Sequence, residues 1–343
     1  MPAVRFIGRF DLSNANAPKT AWPGARIIAK FSGTGVKATL THVNGNEGGN
    51  TWMNVIVDGT TKTPIEVTGA SQQFTLATGL AAGDHVVELQ KRTEANVGTL
   101  TFEGFTFDGG GQLQIPPPRF TRRIEFLADS TIDGYGVDGT LGDLATCDKD
   151  GLDGAPVQFN DPRKSVAFLT AEAVSAEHHL LAYSGKGLVR NEDSTTTNLF
   201  GSVFGKTLPD APTSAWTFAS WVPDAVVVSL GGSDCATTNS VPNGLQAGFA
   251  ALLADIRAKY GAGPRVIFVV WSQLKDYDAV TIRTDVTAAI DGAIAGDAKA
   301  SRFTLPEAQY PADETGCQFH ANAAHHQAMS ALLVAELETK MGW

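Results

Sequence analysis

The chain has 343 residues, with 36 acidic against 26 basic side chains, a formal net charge of −10 and a pI near 5.1. Hydrophobic residues make up 43% and charged residues 18%, so there is material for a packed core, and the length favours two domains over one. No Lys/Arg-rich run occurs, and no apolar stretch reaches the roughly 18 residues of a bilayer span, which sets nucleic acid and membrane aside as expected partners.

The opening Met1-Pro2-Ala3-Val4-Arg5-Phe6 reads without the long apolar core of a signal peptide, which fits a cytoplasmic chain or one whose leader has been removed. Three cysteines, Cys147, Cys235 and Cys317, are too few for a disulfide scaffold and lack metal-ligand spacing. One bridge with one free thiol, or three thiols, both stay open at this point.

In chain order, short apolar runs come first: Arg26 to Phe31, Trp52 to Val57, Phe74 to Leu76, His85 to Leu89 and Leu100 to Phe107, with Gly33-Thr34-Gly35, Asp58-Gly59 and Gly79 between them. Alternation in Val86-Val87-Glu88-Leu89 and in Thr101 to Phe107 predicts a β-sandwich over residues 1–112. Asp108-Gly109-Gly110-Gly111 and then Pro116-Pro117-Pro118 cannot continue a strand ladder, so a linker is expected at 113–119. From residue 120 to 343 the texture becomes apolar strand, loop and amphipathic helix, repeated.

Ile124 to Leu127, Leu180 to Tyr183, Ala225 to Leu230, Val266 to Trp271 and Phe303 to Leu305 read as buried parallel strands. The clearest helical face is Leu245, Phe249, Leu252, Leu253, Ile256 and Tyr260, and the last helix repeats it with Met329, Leu332, Leu333 and Leu337. This predicts a doubly wound α/β domain, whose ligands bind beyond the carboxyl ends of the strands. The loops there hold Ala128-Asp129-Ser130, Ser184-Gly185-Lys186-Gly187 and Gly231-Gly232-Ser233-Asp234, and His320 stands just before the last helix. A serine, a histidine and polar donors on one face are what acyl transfer requires: a nucleophile, a base for its proton and donors for the oxyanion.

The blocks Arg123 to Ser130, Gly134-Tyr135-Gly136, Tyr183 to Gly187, Leu230 to Asp234 and Gly316-Cys317-Gln318-Phe319-His320 resemble, in order, those of the SGNH hydrolases. Gly8-Arg9-Phe10-Asp11, Ala21-Trp22-Pro23-Gly24-Ala25 and Lys91-Arg92-Thr93-Glu94 resemble the sandwich domain of carbohydrate esterase family two. The resemblance covers nearly the whole chain. It implies an N-terminal jelly-roll sandwich and a C-terminal flavodoxin-like three-layer α/β/α domain. It further implies an exported, secreted or periplasmic, monomeric serine esterase, without metal or cofactor, that takes acetyl groups from polysaccharide or oligosaccharide such as xylan. Ser130 would be the nucleophile and His320 its base, with the oxyanion held by Ser130, Gly185 and Ser233.

Three positions depart from the family pattern. Ala128 replaces a glycine at a tight turn, adding a methyl group. Ser233 replaces an asparagine and offers one short donor where two were available. Cys317 and Gln318 stand where an acid normally orients the histidine. A Ser130–His320 dyad is therefore expected, with Gln318 or a main-chain carbonyl as the orienting group and Asp313 as a weaker candidate. Cys147 with Cys317 is the preferred disulfide, beside the pocket of an exported protein; a thiol nucleophile at Cys317 would need its own base.

Trp271, at a strand end, is read either as a sugar-stacking ring or as a core residue. Surface or capping roles suffice for His42, His85, His178, His179, His325 and His326, and a metal at His320 with His325 or His326 lacks a third ligand. Gly185-Lys186-Gly187 has Arg190 in place of the third glycine of a dinucleotide fingerprint, and Gly-x-Ser-x-Gly is absent. The competing readings are a carbohydrate-binding protein with impaired catalysis and an acyltransferase to a sugar hydroxyl.

Overall fold

A computed structural model of the chain describes residues 4–143, 147 and 157–343. Two compact units emerge, Met1–Arg119 with Thr207–Ala215 and Phe120–Lys206 with Trp216–Trp343.

The first unit is built from two antiparallel sheets. One runs Val4–Ile7, Arg26–Gly33, Gly83–Lys91, Thr51–Val57, Thr60–Thr61, with Ile65–Val67 also on Thr51–Val57; the other runs Lys19–Thr20, Gly98–Asp108, Gly35–Asn44, Gln72–Ala77. Alternate side chains of both sheets, among them Ile27, Phe31, Leu40, Val55, Leu89 and Phe102, meet in one buried cluster, which makes the unit a sandwich. Gly33, with φ of 139°, turns the chain into Gly35–Asn44, a strand the apolar runs did not single out because Lys37, Thr39 and Thr41 dilute Val36, Ala38 and Leu40.

Two details differ from the expected division. Leu113–Gln114, inside the expected linker, pairs with Phe31 and Lys30. Thr207–Ala215, expected in the second domain, counts with the first unit, where the indole N–H of buried Trp22 donates to the Thr207 carbonyl at 2.8 Å.

The second unit holds a five-stranded parallel sheet in the order Ala176–Ala182, Arg122–Ala128, Ala225–Ser229, Arg265–Val270, Ala300–Thr304. All but the last strand are almost wholly buried, as strands of a parallel sheet covered by helices must be, and Glu125, Glu177, His178 and His179 are buried along with the apolar residues. Helices Val166–Ala173 and Ala323–Met341 cover one face through Val166, Ala171, Met329, Leu333 and Leu337. Leu332, expected in that stripe, is 39% exposed. In helix Leu245–Tyr260 all six residues of the expected face are buried.

In sequence order the strands read 2-1-3-4-5, so the chain reverses direction across the sheet between the first strand and the third. Their carboxyl ends, and that of the second strand, carry the three loops singled out above.

Candidate active site

Strand Arg122–Ala128 delivers Ser130 two residues past its end. Ala128 stays in ordinary strand backbone with its methyl group fully buried, so the missing glycine demands no unusual angle. His320 arrives from the other side, at the end of the short turn Cys317–Phe319 that precedes helix Ala323–Met341. Its Nε2 lies 2.8 Å from Ser130 Oγ. Its Nδ1 lies 3.2 Å from the carbonyl oxygens of both Cys317 and Gln318. Carbonyls only accept, so Nδ1 carries the proton and Nε2 presents its lone pair to the serine hydroxyl. Burial holds the His320 pKa below its ordinary 6.5, against the opposing charge of Asp129 and the two carbonyls. The imidazole is thus a neutral base at neutral pH.

The orienting group is therefore main chain. The Gln318 side chain is occupied elsewhere, its Oε1 accepting the Tyr135 hydroxyl at 2.6 Å, so it does not hold the imidazole as one of the expectations had it. Asp313 serves another histidine: His325 Nδ1 faces its carboxylate at 3.5 Å, and His325 Nε2 accepts from the Ser272 hydroxyl at 2.7 Å. Ser272 is fully buried, so this Ser–His–Asp row is a framework rather than a second nucleophile.

Ser233 does not fit the part expected of it. Its hydroxyl donates to Asp129 Oδ2 at 3.0 Å, and its own N–H to the same oxygen at 3.2 Å, while Asp129 Oδ1 accepts from the N–H and hydroxyl of Thr131. Gly185 has φ of 72°, a left-handed conformation suited to glycine; its carbonyl accepts the Glu192 N–H at 2.8 Å. The loop beyond it is pinned by Asp234, whose carboxylate accepts the N–H groups of Leu188, Val189 and Arg190 at 2.8 to 3.0 Å. Gly187 is required there, since a Cβ would come within 1.9 Å of the Arg190 carbonyl.

Trp271 is 3% exposed, packed in the core of the sheet with its indole N–H on Gln273, so it offers no face to a sugar. His42, His178, His179, His325 and His326 are buried rather than at the surface, and of the roles expected for them His326 takes the capping one, accepting the N–H of Val166 at the start of helix Val166–Ala173. Cys147 and Cys317 form a disulfide, which removes Cys317 as a nucleophile. Cys235 is a buried thiol whose pKa is pushed up to about 12, chiefly by burial. Among the described residues no group of His, Cys, Asp and Glu could hold a metal, and no helix is long and apolar enough to cross a membrane.

The sequence reading missed Phe319 and Tyr310. Both are more than half exposed, their ring centroids lie 5.9 Å apart, and Phe319 directly precedes His320. The only sequence signal was that adjacency. Phe319 also has φ of 60°, rare for a bulky residue, with its carbonyl held by the Gln273 amide.

Residues 6–118 match the family model for the N-terminal domain of carbohydrate esterase 2. The cellulase/esterase CelE of Acetivibrio thermocellus is 32% identical over 343 residues, which is 100% of this chain and 40% of CelE. An acetylxylan esterase/glucomannan deacetylase of Cellvibrio japonicus is 26% identical over 239 residues, 68% of this chain and 62% of that protein. The chain thus spans less than two thirds of either relative. The structure of a family two carbohydrate esterase from Clostridium thermocellum in complex with cellohexaose superposes with a TM-score of 0.87 at 30% identity, covering 99% of both chains. With the two-unit architecture, the ordered blocks and full-length similarity in hand, the chain belongs to the family two carbohydrate esterases.

Proposed function

We propose that the protein is an exported serine esterase that removes O-acetyl groups from plant polysaccharide or its oligosaccharides. The observation that carries this reading is the 2.8 Å contact between Ser130 Oγ and a His320 Nε2 whose opposite nitrogen is held by carbonyls. His320 takes the serine proton as Oγ attacks the acetyl carbonyl. The resulting oxyanion is met by the backbone N–H groups of Ser130 and Gly185. Protonated His320 then gives its proton to the departing sugar oxygen, leaving an acetyl-serine. A water activated by the same imidazole releases acetate and restores the hydroxyl. The protein would act as a monomer, and no step calls for a cofactor.

The relatives named above supply the substrate class. Phe319 and Tyr310 support it, because exposed aromatic faces beside the base suit a sugar ring. A disulfide supports export. A second reading, a carbohydrate-binding protein with impaired catalysis, draws on the diversion of the Ser233 hydroxyl to Asp129.

Initial rates on 4-nitrophenyl acetate and acetylated xylan, for the wild type, Ser130→Ala and His320→Ala, decide between them. Hydrolysis lost in both variants is expected. Equal rates in all three proteins would reject the esterase and leave glycan binding.

A further inference from the structure

We propose that Tyr135 and the Cys147–Cys317 disulfide are positioning groups for His320, holding in place the main-chain turn that substitutes for a triad acid. The inference rests on the dyad mechanism above and adds what makes that dyad work.

A carboxylate orients a catalytic histidine and also stabilises its charged form; a carbonyl can only orient it. Here two consecutive carbonyls converge on one nitrogen, each 3.2 Å from Nδ1. They converge because Gln318 and Phe319 both take left-handed backbone angles, φ of 52° and 60°, although neither is glycine. Such a turn is disfavoured on its own and persists only where its surroundings over-determine it.

Those surroundings come from the nucleophile's own loop. Five residues after Ser130, the Tyr135 hydroxyl donates to Gln318 Oε1 at 2.6 Å, and its ring packs on the His320 imidazole with centroids 4.4 Å apart. Gly136 accepts the Cys317 N–H at 3.1 Å. The disulfide then ties Cys317, owner of one orienting carbonyl, to Cys147, and Tyr135, Cys147 and Cys317 share a small buried cluster. The segment that carries the serine therefore also grips the turn that aims the histidine. Fixing both reacting groups to one loop preserves their separation, and a displacement of about 1 Å at such a site costs on the order of 100-fold in rate.

The test uses the folded protein and three perturbations: Tyr135→Phe, Cys147→Ser, and reduction of wild type with a phosphine. In the last, the S–S bond takes up two electrons and two protons to give two thiols, while phosphine and water give phosphine oxide. kcat and KM for 4-nitrophenyl acetate and the acid limb of the kcat/KM pH profile are measured, with Ser130→Ala alongside. Each perturbation is expected to lower kcat about tenfold or more with KM changed less than about twofold. The acid limb should move up toward pH 6.5 as His320 becomes better solvated. Reoxidation should restore the reduced enzyme. If Cys147→Ser does not fold, or reduction unfolds the chain, Tyr135→Phe decides the matter alone. Unchanged kcat and an unmoved limb, in protein whose two extra thiols have been titrated and in Tyr135→Phe, would overturn the proposal. A Ser130→Ala variant with wild-type activity would instead overturn the dyad itself.

Discussion

His326 sits in the first turn of helix Ala323–Met341, 1% exposed, and its Nδ1 accepts the N–H of Val166, the first residue of helix Val166–Ala173. Burial, reinforced by His325 and His320, lowers its pKa to about 3. The positive end of the neighbouring helix acts in the same direction. Protonating Nδ1 would bury a charge and remove the acceptor that caps Val166. Unfolded, the side chain titrates near 6.5, so between that pH and about 3 the unfolded chain binds the proton and the folded one refuses it. The contribution is complete above pH 6.5 and declines as the pH falls, by about 2 kcal/mol at pH 5 and about 3 kcal/mol at pH 4. Those are large fractions of a typical stability. Urea denaturation of wild type and His326→Gln at pH 7, 5 and 4 measures the effect, since glutamine offers an acceptor but does not titrate. The variant, less stable at pH 7, should lose about 3 kcal/mol less than wild type on going to pH 4. Parallel losses in the two proteins would refute the assignment of a buried, neutral His326.

Two further outcomes follow from the hydrogen bonding of the loops. Ser233→Ala removes a hydroxyl committed to Asp129, so kcat/KM on 4-nitrophenyl acetate should fall less than about tenfold, whereas a loss of roughly 100- to 1000-fold would restore Ser233 to the oxyanion site. Ser272→Ala leaves His325 Nε2 buried without its donor and should destabilise the fold by about 1 to 3 kcal/mol, visible as a lower melting temperature; an unchanged one would mean the bond contributes nothing.

The elements written in strong periodicity were legible in the sequence. The six residues of helix Leu245–Tyr260 lie on one buried face as their spacing requires, and four of the five parallel strands contain the apolar runs that predicted them, although Ala176–Ala182 carries Glu177, His178 and His179 ahead of its run. Family blocks directed attention to Ser130 and His320, which the fold brings within hydrogen-bond reach. Side-chain allegiances were not legible, because each depends on which of several nearby partners the backbone happens to favour. Asp313 was within reach of His320 by sequence distance, yet pairs with His325. Gln318 had the right chemistry for the imidazole, but a left-handed backbone turned its carbonyl inward and sent its amide to Tyr135. Of the six histidines assigned surface or capping roles, five are buried and His326 does cap a helix start, and no periodicity marks a histidine as belonging to a core or a strand interior.

The departures at Ser233 and Gln318 look independent in sequence but meet at His320. A triad acid performs two tasks, aiming the imidazole and lowering the energy of its charged form. Aiming falls here to the carbonyls of Cys317 and Gln318. For the charge, Asp129 is the largest of the influences that favour protonated His320, and it lies one residue from Ser130. Its carboxylate is fixed by four donors, two from Thr131 and two from Ser233. An asparagine side chain directed at an oxyanion could not also supply that hydroxyl. The serine that stands where an asparagine was expected therefore holds a carboxylate whose charge favours protonated His320.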